Sequence, residues 1–183
     1  LEKQNPQSIF LESLNPKNRK KFTWLDTSIN IYKLAKILKE NINNGDRCLL
    51  VSENRPEWLI SDIAIMLADG ITVPAYTTYT ESDYKYLIED CQPSVVIVSN
   101  NEMYNKLKNT IKEKNFIKKI ITFDKIDGIN YENKYLNFNL ITKNDLSESD
   151  KIKNSNLKRT TPACIIYTSG TGGNPKGVIL SHG

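Results

Sequence analysis

The chain has 183 residues, of which 39% are hydrophobic and 25% are charged, as is typical of one globular domain or part of a larger one. No apolar run approaches the roughly 20 residues of a membrane-spanning helix, and the polar first residues predict no secretory signal. The net charge of +4 is spread over separated lysines, so we expect no nucleic-acid partner, which would require a dense basic face with interleaved aromatic residues.

The first 51 residues predict a strand, a helix and a second strand. Residues 22–24 suit a short strand, and either Asp26 or Thr27 can cap the helix that follows by accepting a backbone N–H bond. Apolar residues at the spacing of one helix face give this helix its buried stripe: Ile31, Leu34, Ala35 and Leu38. The turn at 43–46 ends the helix, and residues 48–51 are short and apolar enough for a buried strand.

A second helix and a third strand follow. Asn54 can cap this helix, and Pro56 falls in its first turn, where the missing N–H costs nothing. Its predicted apolar face consists of Trp58, Leu59, Ile63, Met66 and Leu67. Gly70 closes the helix, residues 71–73 suit a strand, and Pro74 ends that strand.

Two more helices alternate with two more strands. Residues 80–83 resemble a capping box that opens the third helix. The buried side of that helix is predicted to be Tyr84, Leu87, Ile88 and Cys91. Residues 95–98 are all β-branched, so residues 94–98 predict a strand. Residues 102–112 predict a helix, and residues 117–123 predict a further strand. This βαβ rhythm predicts an α/β fold with a mainly parallel sheet flanked by helices.

We interpret residues 1–183 as one unit, and three parts can be distinguished between residues 22 and 183. Residues 22–123 carry the βαβ core. Residues 124–160 are rich in Asn, Lys, Asp and Ser, so we expect a polar surface excursion with one short helix at 143–150. Residues 161–183 contain an apolar strand, a glycine-rich loop and a second apolar strand.

The glycine-rich loop carries the clearest functional signal. Glycines let the backbone approach a bulky anion, and successive N–H groups can form an anion-binding nest. Hydroxyls and a lysine add donors and positive charge. The residues predicted to hold the phosphates of a nucleotide are Thr168, Ser169, Gly170, Thr171, Gly172, Gly173 and Lys176. A turn without function is the alternative, but the buried strand before the loop and the lysine behind Pro175 favour phosphate binding.

The loop differs from a Walker P-loop, in which a Ser or Thr follows the lysine and a helix begins. Here Gly177 follows Lys176, and residues 178–180 are β-rich. We therefore expect a strand–loop–strand arrangement without a helix dipole directly beneath the anion. This pattern counts against a P-loop kinase or NTPase.

The glycine-rich loop and two earlier segments resemble those of a known family. Residues 167–177, followed by 178–182, closely resemble the AMP-binding signature of the adenylate-forming superfamily. Residues 45–47 with 52–58, and residues 70–76, resemble its long-chain fatty acyl-CoA synthetase branch. The commonest loop of this family has threonine where this chain has Gly172. One hydroxyl is lost there, and the amides and remaining hydroxyls should still hold phosphate.

The resemblance implies ATP-dependent activation of a carboxylic acid, with a long-chain fatty acid as the expected substrate. A carboxylate attacks the α-phosphate of Mg²⁺-bound ATP, pyrophosphate leaves, and coenzyme A then displaces AMP. The loop would hold the β- and γ-phosphates. The catalytic and magnesium-binding residues would lie after residue 183, in the remainder of the same enzyme, so we expect this chain to be inactive alone. His182 is interpreted as a local structural residue.

Other interpretations stay open. A non-catalytic phosphate-binding or scaffolding module would keep the loop, and an adenylating enzyme for a short-chain, aryl or amino acid would keep the chemistry. Three widely spaced cysteines and a single histidine argue against a disulfide framework and a zinc site, and buried reduced thiols suit a cytoplasmic protein. Fatty substrates would bring the intact enzyme to the membrane surface.

Overall fold

The computed structural model describes residues 5–14, 19–143, 145–148, 150–151, 157–168 and 174–183. The strands are β1 Ile9–Glu12, β2 Lys21–Thr23, β3 Arg47–Val51, β4 Ile71–Ala75, β5 Val95–Val98, β6 Lys119–Thr122, β7 Tyr135–Asn137, β8 Pro162–Thr168 and β9 Lys176–Ser181. The helices are α1 Trp24–Lys39, α2 Pro56–Leu67, α3 Glu81–Cys91, α4 Asn101–Glu113 and α5 Phe138–Ile141. None of these helices is both long enough and apolar enough to cross a bilayer.

The central sheet has the strand order β7-β6-β5-β3-β4-β8-β9. Every pair from β7 to β8 is parallel, and only β8 and β9 run antiparallel. β1 and β2 form a separate antiparallel pair. The prediction of a mainly parallel sheet flanked by helices is confirmed.

Two apolar cores cover the two faces of this sheet. Side chains alternate between faces along a strand, so Leu49 and Val96 face a core that includes residues of α3 and α4. Leu50 and Ile97 face the opposite core, which includes residues of α1, α2 and α5. Since both faces are covered, β3 and β5 are apolar at every position from Cys48 to Val51 and from Val95 to Val98.

The start of α1 differs from the prediction. Trp24 is the first helical residue, and Thr23 is the cap: its hydroxyl accepts from the Asp26 N–H at 3.0 Å. The Asp26 carboxylate accepts from the Thr23 N–H at 3.0 Å, which completes a capping box. The prediction of Asp26 or Thr27 as the cap is therefore wrong, because the helix begins earlier. The predicted stripe is confirmed, with Leu34, Ala35 and Leu38 buried.

α2 matches the prediction at Pro56, which lies in the first turn, but not at its cap. The cap position is Arg55, without a side-chain capping bond, so the Asn54 prediction is wrong. The buried face is Ile60, Ala64 and Ile65, whereas the predicted residues Trp58, Leu59, Ile63, Met66 and Leu67 are half-buried. The helix is apolar on most sides, so spacing alone does not identify the deeper face.

Two features after α2 also correct the prediction. Asp69, with a φ of 62°, supplies the left-handed residue at the end of the helix, and Gly70 N–H then donates to the Ile65 carbonyl at 2.9 Å. Pro74 lies inside β4, opposite Leu50, and does not end the strand. On its other side, β4 is in register with β8 at Thr72.

Helices α3 and α4 and strands β5 and β6 agree with the predictions. Thr80 and Asp83 form the capping box of α3, and the predicted residues Tyr84, Leu87, Ile88 and Cys91 are buried. α4, β5 and β6 lie where predicted, with Met103, Leu107 and Ile111 buried.

The stretch after β6 is more structured than its composition suggests. β7 pairs in parallel with β6, and Phe138 and Ile141 of α5 are buried in the core beneath α1. The Asn137 amide donates to the Thr122 hydroxyl at 3.1 Å. The helix predicted at 143–150 is wrong for the described residues of that range, which are turns and irregular chain.

Candidate phosphate-binding site

The candidate site lies at the carboxyl edge of the sheet. β8 runs parallel to β4, and β4 to β3, so the chain leaves Thr168, Ala75 and Val51 at the same edge. In open α/β sheets, ligands bind in the crevice outside this edge. The predicted loop therefore begins where a ligand site is expected.

Thr168 and Lys176 are the two predicted site residues that the structure describes. They are partners in the last rung of the β8–β9 ladder, and both are exposed. The prediction that strands precede and follow the loop is confirmed. The other predicted residues, Ser169, Gly170, Thr171, Gly172 and Gly173, lie outside the described residues.

One rung below this pair, Tyr167 lies opposite Gly177. Tyr167 is 4% exposed and belongs to the core on the α3 side of the sheet. A Cβ atom on Gly177 would lie 3.3 Å from the Tyr167 ring and 2.8 Å from Cγ2 of Ile165. The glycine therefore leaves space for the buried ring beneath the loop.

Helix α3 contacts both sides of the loop. The Tyr86 hydroxyl donates to the carbonyl oxygen of Pro175 at 2.9 Å, immediately before Lys176. On the other side of the loop, Tyr167 directly precedes Thr168, and its hydroxyl donates to the Asp90 carboxylate. Burial and the hydrogen bond to Asp90 raise the pKa of Tyr167, so its hydroxyl remains a donor. Neither Tyr86 nor Asp90 belongs to a sequence motif, so their part in the site could not be predicted from the sequence.

A cavity of about 510 Å³ adjoins this site at the same edge of the sheet. Its wall combines aromatic and aliphatic side chains with polar groups from the segment after β3. The residues include Trp58, Tyr76, Ile166, Tyr167, Ser52 and Asn54. Glu53 and Thr77 also line it. The size of this cavity lies within the range of small-molecule sites, and its wall is a mixture of polar and apolar groups.

Arg55, which follows this polar segment, is neutralised by carboxylates. Its Nε lies 2.9 Å from Glu57 Oε2, and its guanidinium lies 3.0 Å from Asp124 Oδ1. Burial alone would raise the pKa of Glu57, but the hydrogen bond and charge of Arg55 outweigh it and leave that pKa below its ordinary value. Arg55 therefore joins α2 to the segment after β6, and its charge is already balanced.

The three cysteines and His182 are the other residues with reactive side chains near the sheet, and their contacts do not indicate a catalytic role. Cys48 and Cys91 are buried free thiols, and Cys164 is half-buried. Burial is the main cause that raises the pKa of Cys91 to about 12, which disfavours the nucleophilic thiolate. The His182 N–H donates to the Thr161 carbonyl at 3.1 Å, a backbone contact between the chain after β9 and the chain before β8.

A comparison with known families gives the class of protein. The sequence model of the AMP-binding enzyme family matches residues 2–183. The chain belongs to the AMP-binding enzyme family, as its resemblance to the adenylate-forming superfamily predicted.

The chain is similar to several named proteins. The chain is 28% identical over 153 residues to long-chain-fatty-acid–CoA ligase ACSBG1 of Rattus norvegicus, covering 82% of this chain and 21% of the rat protein. It is similar to the crystal structure of the anthranilate CoA ligase AuaEII, with a TM-score of 0.77, 23% identity, and coverage of 91% of this chain and 30% of that one. Acetoacetyl-CoA synthetase from Streptomyces lividans gives a TM-score of 0.85 at 16% identity, covering 99% of this chain and 29% of that one. This chain therefore spans about a fifth of its curated relative's length.

Proposed function

We propose that this chain forms the ATP phosphate-binding part of an acid–thiol ligase that converts a carboxylic acid to an acyl-adenylate and then to an acyl-CoA thioester. The observation that carries the proposal is the pairing of Thr168 with Lys176 at the carboxyl edge of the sheet, in a chain of the AMP-binding enzyme family. A hydroxyl and a lysine thus flank the glycine-rich loop where a nucleotide would bind.

The proposed role of the loop is electrostatic. When a carboxylate attacks the α-phosphate, negative charge grows on the departing pyrophosphate. Lys176 would neutralise that charge, and the hydroxyls of Thr168, Ser169 and Thr171 would donate hydrogen bonds to it. Gly170, Gly172 and Gly173 would let backbone amides approach the same oxygens. Preorganised donors of this kind lower the barrier because they need no rearrangement during the reaction.

The neighbouring cavity gives the reactants a place beside the loop. Tyr167 lines this cavity, and its backbone continues directly into Thr168. We propose that one of the reactants occupies this space while the β- and γ-phosphates lie on the loop. Holding both reactants in one geometry would replace a bimolecular encounter with a local step.

A long-chain fatty acid is the proposed substrate. The support is the similarity to the rat ligase, whose name specifies long-chain fatty acids. The two structural neighbours are named for anthranilate and for acetoacetyl-CoA, so the shared fold does not select the acid. Short-chain, aryl and amino acids are therefore alternatives that the experiment must include.

The proposed reaction also requires magnesium, which binds ATP, and coenzyme A, which reacts with the acyl-adenylate. Within the described ranges, no group of three or more His, Cys, Asp or Glu could hold a metal ion. We therefore assign no magnesium ligand and no step through the metal to this part of the chain. The remainder of the enzyme would supply the catalytic residues, so we propose that residues 1–183 alone are inactive, and that the intact enzyme works in the cytoplasm or at the membrane surface.

Pyrophosphate exchange by the full-length protein tests this function. Radiolabelled pyrophosphate should enter ATP only when a suitable carboxylic acid is present, and a long-chain fatty acid should support the fastest exchange. Fastest exchange with a short-chain, aryl or amino acid would overturn the substrate assignment. ATP binding without exchange for any acid would instead indicate a non-catalytic phosphate-binding module.

A further inference from the structure

We propose that one face of α3 positions the phosphate-binding loop, with Tyr86 and Asp90 as positioning residues. This inference rests on the proposed function of the loop. It assigns to α3 a role in setting the separation and orientation of Thr168 and Lys176. Tyr86 bonds to Pro175, directly before Lys176, and Asp90 bonds to Tyr167, directly before Thr168. The two contacts therefore lie on opposite sides of the loop.

The contact on the β8 side fixes a buried ring. Tyr167 lies almost wholly inside the core, and its hydroxyl reaches Asp90 across the helix–sheet boundary. Gly177 leaves no side chain between this ring and β9. The ring is therefore held at both its base and its hydroxyl, which limits the movement of the Tyr167 side chain directly before Thr168.

The contact on the β9 side attaches a strand that few other contacts hold in place. All six residues of β9 are exposed, and within the described part of the chain no strand pairs with its outer side. The ladder with β8 holds one side of this strand. The Tyr86 hydroxyl adds a second attachment at Pro175, directly before Lys176.

The two positioning residues share a rigid support. Tyr86 and Asp90 stand at positions i and i+4 of α3, so they lie on one helix face. The capping box of Thr80 and Asp83 fixes the first turn of this helix. Tyr84, Leu87 and Ile88 are at most 1% exposed and bury its inner face. A rigid helix that contacts both sides of a loop limits the relative movement of its ends.

Removing single hydroxyl groups tests this inference in the full-length protein. Tyr86→Phe deletes only the donor to Pro175. We expect it to raise the KM for ATP in pyrophosphate exchange about five-fold, the equivalent of one ordinary hydrogen bond. The KM for the carboxylic acid should stay unchanged, because the contact lies on the loop side.

Tyr104→Phe is the matched control. Its hydroxyl lies 3.3 Å from that of Tyr135, on α4 and β7, at the other edge of the sheet. It should lower thermal stability to a similar degree and leave the KM for ATP unchanged. An equal rise in KM for both variants would overturn the inference, since it would reflect general loosening of the fold.

Asp90 provides a rescue experiment. Asp90→Asn keeps an oxygen that accepts from the Tyr167 hydroxyl, so it should retain most ATP affinity, whereas Asp90→Ala should weaken it about as much as Tyr86→Phe. Equal KM values for the two Asp90 variants would contradict a positioning role.

Coupling to Lys176 separates this inference from the proposed function. In a Lys176→Ala background, Tyr86→Phe should have little further effect on the KM for ATP, because its role is to place that lysine. If Lys176→Ala weakens ATP use and Tyr86→Phe does not, the positioning role fails and the proposed function stands. If Lys176→Ala has no effect, the proposed function fails, and the positioning role with it.

Discussion

Thr168 and Lys176 face each other across the last rung of the β8–β9 ladder. Directly opposed residues of an antiparallel pair have neighbouring side chains. The chain therefore leaves and re-enters the sheet at one place, and a hydroxyl and an ammonium group stand at the mouth of the loop. This geometry concentrates donors and charge without a helix N-terminus, the usual support of a Walker-type loop.

The first prediction concerns the glycine beneath this pair. In Gly177→Ala, the added Cβ would lie only 2.8 Å from Cγ2 of Ile165 and 3.3 Å from the Tyr167 ring. We expect the free energy of unfolding to fall by about 1–2 kcal/mol, the usual cost of overpacking. Urea denaturation measures this change.

A double-mutant cycle isolates the cause. Ile165→Ala removes the closest methyl group, so Gly177→Ala should cost less in that background than in the wild-type chain. If the losses in unfolding free energy of Gly177→Ala and Ile165→Ala were strictly additive, the contact between the new Cβ and Ile165 would not be the cause of the destabilisation.

The second prediction concerns the ion pair of Arg55 and Glu57, where the Glu57 side chain is 5% exposed. Glu57→Gln should lower the free energy of unfolding by about 1.5–3 kcal/mol near neutral pH, the usual value of a hydrogen bond to a charged group. Arg55 loses one carboxylate partner and keeps Asp124. The folded-state pKa of Glu57 is lowered below 4.5. Its contribution is therefore complete above that ordinary value and is lost as the pH falls through the lowered pKa.

Denaturation at a series of acidic pH values checks the sign. The wild-type chain should lose stability more steeply below about pH 4.5 than Glu57→Gln does. Glu102→Gln is the control, because the Glu102 side chain is 72% exposed and pairs loosely with Lys106 at 3.5 Å. It should change stability by less than about 0.5 kcal/mol. Parallel pH profiles for the wild type and Glu57→Gln would contradict the account.

The third prediction concerns β9, where Val178, Ile179 and Leu180 are 45%, 63% and 47% exposed. An apolar edge strand presents unpaired backbone groups to other chains. We expect the 183-residue chain to self-associate through antiparallel pairing of β9 with β9 of a second copy. Ile179→Lys should raise the dissociation constant about ten-fold or more in sedimentation experiments, since it removes one buried isoleucine per copy.

Leu140 provides the control for this surface. It is 53% exposed but lies on α5, so Leu140→Lys should leave self-association unchanged. Equal effects of the two lysine variants would indicate a general solubility effect and not pairing of β9.

Local signals predicted much of the fold. The capping box at Thr80 and Asp83, the run Val95–Val98 and the apolar strands around the loop are all readable from neighbouring residues. The same type of box at Thr23 was missed because Trp24 favours a strand by propensity. In the structure Trp24 opens α1 and stacks on Phe10 at a centroid distance of 3.6 Å.

Features that depend on tertiary contacts could not be predicted. β7 has three residues, and its pairing with β6 gives it strand geometry that its sequence does not signal. In α2, tertiary packing buries Ile60 and Ile65 in preference to Ile63. The loop residues were predicted from glycines and hydroxyls, but the contacts of Tyr86 and Asp90 depend on where α3 crosses the sheet.

The central claim is that the glycine-rich loop binds the terminal phosphates of ATP. The most direct measurement compares the affinities of the full-length protein for ATP and AMP, before and after Lys176→Ala. We expect ATP binding to weaken at least about ten-fold, the effect of losing one charge-assisted contact. AMP binding should stay unchanged, because AMP lacks the β- and γ-phosphates. Lys112→Ala, at an exposed lysine of α4, should alter neither affinity. Unchanged ATP affinity in Lys176→Ala, or an equal loss for ATP and AMP, would contradict the assignment.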